Sequence, residues 1–259
     1  MNTARILTIA TALLAGTGTG RASNASTAVN DPVSNRSSHT PCPFTRICTP
    51  DRLDYTVETV WGSKYEGEGL NLWGSSYTAI SIAAECNDLI FKTWYGVADS
   101  ANHGELKYRL EYKREIGRLT IMPWYEHSFV FPGDRGIPRP GIKMAWHFNE
   151  TFFAGPDVYW QEVNGRMLGY YAAFAGAQFK PASSLLLDTT LRYGYNGGYV
   201  GGTIPRGSNA LDYYITLTWK YDERIELDLH ASYSQALTTL RSQHRGNDFY
   251  YGARIRINF

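Results

Sequence analysis

The chain has 259 residues, and its 25 Lys and Arg against 24 Asp and Glu leave a net charge of +1, which excludes the electrostatic footprint of a dedicated nucleic-acid binder. Charged residues at 19% and aromatics at 14% exclude global disorder. No apolar run reaches the roughly 20 residues that a membrane-spanning helix needs.

The first segment reads as an address. A short basic start, Met1 to Arg5, is followed by the apolar stretch Ile6 to Ala15 and then by small residues at Gly20-Arg21-Ala22 and Ser23-Asn24-Ala25. This order predicts a secretory signal peptide over 1–22. No Cys follows the apolar stretch directly, so a lipoprotein anchor is not expected. Residues 23–52 are rich in Ser, Thr, Asn and Pro and are expected to form a flexible linker or tail. Cys42 and Cys48 flank a short stretch inside it. In an oxidising compartment they are expected to close a small disulfide loop, since a metal site would want more ligands at tighter spacing. Cys86 is then left over, as a small residue at a strand end.

From Leu53 to Phe259 the dominant period is two. About twelve segments follow it, near 53–61, 76–85, 89–97, 105–116, 119–130, 140–149, 152–160, 168–179, 184–195, 211–221, 225–234 and 249–259. In the hairpin around Asp222-Glu223-Arg224, Leu211, Tyr213, Ile215, Leu217 and Trp219 share one face. Pairing it with the next strand sets Lys220 opposite Glu226 and Trp219 opposite Leu227, a register that matches both faces at once. The same logic about Gly117-Arg118 sets Arg109 opposite Glu126. Pro123 is compatible with a bulge there, which would exchange the faces of Trp124 and Tyr125, and the facing of that strand stays open.

Short turns are expected at 87–88, 117–118, 149–150, 180–182 and 222–224, alternating with longer loops such as 62–75, 131–139, 196–210 and 235–248. Outer-membrane barrels keep that alternation, with short periplasmic turns and longer outer loops. Period two alone does not separate a soluble barrel from a membrane one. The export signal and the aromatics at the ends of apolar faces (Tyr112, Trp146, Tyr193, Tyr195, Trp219, Tyr221, Phe249) favour the membrane. The last strand, YGARIRINF, alternates apolar residues and ends on Phe259. It resembles the assembly signal of bacterial outer-membrane β-barrels, and with about twelve strands the chain is similar to the narrow, substrate-selective porins.

The expected architecture is therefore an all-β, antiparallel, up-and-down transmembrane barrel of about 12 strands over 53–259, in the bacterial outer membrane. The expected activity is porin-like: passive diffusion of small hydrophilic solutes or ions, without enzymatic activity. A non-conducting structural or receptor barrel is the alternative, and a membrane-embedded hydrolase the third reading. The residues expected to line the pore are Lys107, Arg109, Lys143, Arg192, Lys220, Arg254, Arg256, Asp188 and Glu226. For any one of them, bracing of the wall by ion pairing competes with solute contact. Asp54 and Glu58 are expected to meet Arg254 and Arg256 where the barrel closes. His127-Ser128 invites a hydrolase reading, but neighbours in a strand point to opposite faces. No cofactor or metal is implied. The expected partners are outer-membrane lipid, small hydrophilic solutes and, through the strand ending at Phe259, the barrel-assembly machinery.

Overall fold

The computed structural model describes residues 53–259, apart from 101, 134, 164 and 199–204. The expected signal peptide, the linker and the Cys42–Cys48 pairing lie outside the described residues. Cys86 is disulfide-bonded, which corrects its reading as the left-over cysteine.

The strands in chain order are β1 (Asp54–Gly62), β2 (Glu66–Gly67), β3 (Leu70–Asn71), β4 (Tyr77–Cys86), β5 (Leu89–Ala98), β6 (Gly104–Tyr112), β7 (Arg114–Ile116) and β8 (Leu119–Phe131). They continue with β9 (Arg135–His147), β10 (Phe152–Val163), β11 (Arg166–Ala182), β12 (Leu185–Asn196), β13 (Gly207–Lys220), β14 (Ile225–Ala236) and β15 (Asp248–Asn258). One short helix, α1 (Thr238–Ser242), lies between β14 and β15. Apart from the β2–β3 hairpin, the strands form a single antiparallel ring. It runs from β6 through β5, β4, β1 and β15 back to β8, and the β6–β8 pairing closes it. Because β7 continues β6 along the same neighbour, the ring has twelve staves.

Both predicted hairpin registers are present: Lys220 pairs with Glu226, Trp219 with Leu227 and Arg109 with Glu126. No bulge forms at Pro123, which pairs in step with Ile142. Trp124 is buried and Tyr125 exposed, so that strand keeps one facing throughout. At the closure Glu58 pairs with Arg256, while Asp54 lies opposite Glu85 on the other neighbour.

The burial pattern is inverted relative to a soluble protein. Leu217, Trp219, Leu229 and Ile255 are 39–63% exposed, whereas Glu105, Glu111, Asp212 and Asp228 are at most 4% exposed. A soluble barrel turns its apolar face inward; here it faces out and the carboxylates face in, as only a hydrocarbon surround permits. Exposed aromatics gather towards both strand ends. Tyr55, Tyr112, Trp146 and Trp219 lie towards the end with short turns, and Trp61, Tyr195, Tyr233 and Tyr251 towards the other. Leu191, Ile215 and Leu229 lie between, as two interfacial girdles require.

Three connections differ from expectation. β9 begins at Arg135, so most of the expected loop 131–139 is strand. Pro138 and Pro140 are tolerated there because β9 meets β8 along its length but meets β10 only from Gly141 to His147, leaving one side without a ladder. β10 and β11 are joined by residues 164–165 alone, an exception to the rule of long loops on that side. Finally, α1 occupies part of the expected loop 235–248.

Candidate functional site

Residues 62–75 were expected to be an outer loop, yet the connection 63–76 turns into the ring and crosses it. Within it, β2 and β3 form a two-residue hairpin whose turn residues Glu68 and Gly69 have φ of 51° and 77°. A primed hairpin turn needs left-handed backbone at both positions. At Gly69 a Cβ would lie 2.6 Å from the Ala210 Cβ, so the tip can dock only as glycine.

From this hairpin, side chains reach walls on both sides. The Tyr65 ring stacks on Trp73 (4.1 Å between centroids) and on Trp94 of β5 (5.5 Å). Its hydroxyl donates to Glu105 Oε2 at 2.6 Å and accepts from the Lys107 ammonium, both on β6. Glu66 accepts from the Tyr214 hydroxyl of β13 (3.0 Å) and from Ser232 of β14 (3.1 Å). At the tip, the Glu68 carboxylate accepts from Tyr159 of β10, and its backbone carbonyl accepts from the Asn209 amide. Around the ring β10 stands six staves from β1 in either direction, so the segment spans the full width. Leu70 packs on two apolar clusters, one of Trp124, Tyr159, Tyr170 and Ala172 and one of Ala210, Ala236 and Leu240 of α1. The unforeseen helix thus helps seat the tip. Burial pushes the Glu66 carboxyl up to about 7, with Asp212 adding to the shift and the two hydroxyl donors and Arg192 opposing it.

A cavity of about 440 Å³ adjoins the crossing segment. It is bordered by Tyr65 and Glu66, by Tyr77 and Trp94, by Tyr214, Ser232 and Tyr250, and by Glu58 and Arg254.

The nine residues singled out from the sequence all lie on the inward parity of their strands, and the structure groups most of them into ion-pair networks. On one wall Arg109 meets Glu111 (2.6 Å) and Glu126 (3.6 Å), Lys107 meets Glu105 (3.5 Å), and Arg139 joins at Glu126 (3.3 Å). At the closure Arg256 binds Glu58 (2.8 Å) and Glu226, Lys220 binds Glu226 (3.3 Å), and Arg254 binds Asp228 and Glu58. Arg192 meets Asp157 (3.5 Å) and lies over the Tyr170 ring. Two stand apart: Lys143 sits over the Phe174 ring at 4.8 Å, and Asp188 accepts from Gln178 at 2.7 Å. Tyr65, Glu66, Glu68 and Leu70 were missed. The available signal was the Gly67-Glu68-Gly69 turn between Tyr65 and Leu70, since apolar side chains beside a tight turn need cover that an exposed loop does not supply.

The closure network yields a stability expectation. Asp228 has a side chain only 1% exposed, and Arg254 is its direct partner. Removing one member of a buried pair typically costs roughly 3–5 kcal/mol. Arg256 still lies 3.8 Å from Asp228, so the expected loss for Arg254→Ala is smaller, about 2–3 kcal/mol. Urea-unfolding midpoints in micelles measure it. Adding Asp228→Asn should recover most of the loss, and failure to recover would show that Arg254 acts through packing instead.

His127 and Ser128 do not form a dyad. His127 lies with Tyr125 and Phe129 on the outer face (4.7 Å between the His127 and Phe129 rings), whereas Ser128 is fully buried and donates to Glu126. Among the described residues no cluster of three or more His, Cys, Asp or Glu is arranged to hold a metal ion.

No protein-family model matches the chain, and no curated protein does. Solved structures do resemble it. The KdgM porin superposes with a TM-score of 0.55 at 9% identity, over 79% of this chain and 99% of its own. The NanC porin gives 0.51 at 13% identity, over 79% and 98%. The translocator domain of the autotransporter NalP from Neisseria meningitidis gives 0.52 at 10%, over 80% and 88%. At such identities the likeness shows the fold alone, a closed antiparallel barrel, which in this chain has twelve staves.

Proposed function

We propose that this outer-membrane barrel is a porin-like channel for passive diffusion of small hydrophilic solutes or ions, narrowed where residues 63–76 cross it. The observation that carries the reading is the polar inner face combined with a crossing segment that leaves a cavity of about 440 Å³ beside it. A barrel whose only task was to stabilise the envelope would gain more from an interior packed shut, as eight-stranded barrels have.

In this reading Lys107, Arg109, Lys143, Arg192, Lys220, Arg254, Arg256, Asp188 and Glu226 line the pore in two roles. The networked arginines, Lys107, Lys220 and Glu226 brace the wall, and Lys143 and Asp188, outside those networks, meet passing ions. Charges in a pore set selectivity by such exposure. The fold needs no catalytic group for this task, and the strand ending at Phe259 is the part presented to the assembly machinery. Its terminal N–H donates to Tyr55 (2.9 Å) and keeps the end in the ladder.

The test is the purified chain in a planar lipid bilayer at several salt concentrations and pH values. Discrete ohmic current steps are expected. A membrane-inserted, heat-modifiable barrel that gives none would leave the non-conducting structural or receptor barrel as the function.

A further inference from the structure

The cavity beside the crossing segment combines two chemistries. Aromatic rings from four strands border it: Tyr77 of β4, Trp94 of β5, Tyr214 of β13 and Tyr250 of β15. Hydrogen-bonding groups border it as well: the Glu66 carboxyl, the Ser232 hydroxyl, His230 and the Glu58–Arg254 pair (3.6 Å). Its volume lies within the range of roughly 300–1,000 Å³ usual for small-molecule sites.

One wall residue lacks what burial ordinarily demands. Tyr250 is 4% exposed and borders the cavity, and its hydroxyl makes no well-formed hydrogen bond, the Asp248 carboxylate beside it being already engaged by Lys64. An unmet buried hydroxyl is destabilising unless something else satisfies it. The charges beside it offer an anion little. Arg254 is committed to Asp228 and Glu58, and Lys64 to Asp248, while the hydrogen bonds made by Glu66 come from Tyr214 and Ser232.

We propose that this cavity is a binding site for an uncharged, polyhydroxylated ring of about hexose size. Ring C–H faces pack on the aromatic side chains, vicinal hydroxyls donate to Glu66 and Glu58, and a ring hydroxyl pairs with Tyr250. A uronate of the same size is disfavoured, because its carboxylate meets Glu66 without a cation free to neutralise it. The proposal rests on the channel reading for how solute reaches the cavity, but binding itself is measured without conduction.

The experiment is isothermal titration of the full chain at pH 8, where Glu66 is ionised, in a detergent without a sugar headgroup, with glucose and with glucuronate as probes. Glucose is expected to bind at least about tenfold more tightly than glucuronate. Tyr250→Phe, which keeps the ring, should weaken glucose about threefold to tenfold, and Glu66→Gln should narrow the gap between the probes. Heat-modifiability of each variant confirms the folded barrel. Binding of glucuronate as tight as glucose, no binding of either, or an unchanged Tyr250→Phe variant overturns the proposal. A barrel that binds glucose yet passes no current overturns the channel reading and leaves this one standing. One that conducts without binding glucose does the reverse.

Discussion

Replacing residues 64–74 by a three- or four-residue Gly-Ser turn is expected to raise single-channel conductance several-fold, on the order of three to ten. Gly62 and Tyr77 are paired in register at the ends of β1 and β4, so a short turn closes that hairpin without the segment. The crossing residues contribute nothing to the ring of strand pairing, which runs β4–β1–β15 beside them. What they contribute is obstruction: Tyr65 held between Trp94 and Glu105 on one side, and Glu68 held by Tyr159 on the other. Removing them should widen the path while the barrel keeps its heat-modifiable mobility and strand circular dichroism. An intact barrel with unchanged conductance would place the narrowest point elsewhere, and the paired arginine walls would be the next candidate.

The second expectation concerns pH. Glu66 in the docked segment titrates near 7, above its ordinary 4.5, chiefly because burial penalises the carboxylate and secondarily because Asp212 lies close. The docked state therefore binds its proton more tightly than an undocked, solvated segment would. Its advantage is complete below about 4.5, declines as the pH rises from there, and is gone above about 7. A shift of this size corresponds to roughly 3 kcal/mol, and water in the lumen lowers the effective figure to on the order of 1–2 kcal/mol. The crossing segment should thus be most firmly seated in acid. The time spent in a wider, noisier state should increase several-fold between pH 5 and pH 8, as read from single-channel records. Glu66→Gln keeps an acceptor for Tyr214 and Ser232 but has no proton to lose, so its records should resemble the acid form at every pH. If that variant keeps the wild-type pH profile, the gating group is another carboxylate.

Much of the fold was legible because a strand advertises both its faces. The alternation of Leu211 to Lys220 against Ile225 to Tyr233 admits one register, and a slip of one residue would put Lys220 opposite Leu227 or Ile225. The ends of β9 and β13 were harder to read, since Pro138, Pro140, Gly207 and Ser208 carry loop-like local preferences that pairing with a neighbouring strand overrides. Among the site residues, Arg109 with Glu126 and Arg256 with Glu58 could be paired from register alone. The partners of Tyr65, Glu66 and Glu68 lie on β6, β10, β13 and β14, far along the chain, and no local pattern encodes such distances.

By itself the sequence determined the strands, their facing and the inside-out polarity, because each of these follows from a residue and its neighbours two or three places away. Only the closed ring decided what the interior holds. Once β6 meets β8, the space available to residues 63–76 is bounded by walls contributed by the whole chain, and buried aromatic and carboxylate groups must find partners there. That requirement brings the hairpin tip to Tyr159 and Asn209, places Glu66 between Tyr214 and Ser232, and leaves the cavity bordered by Tyr250.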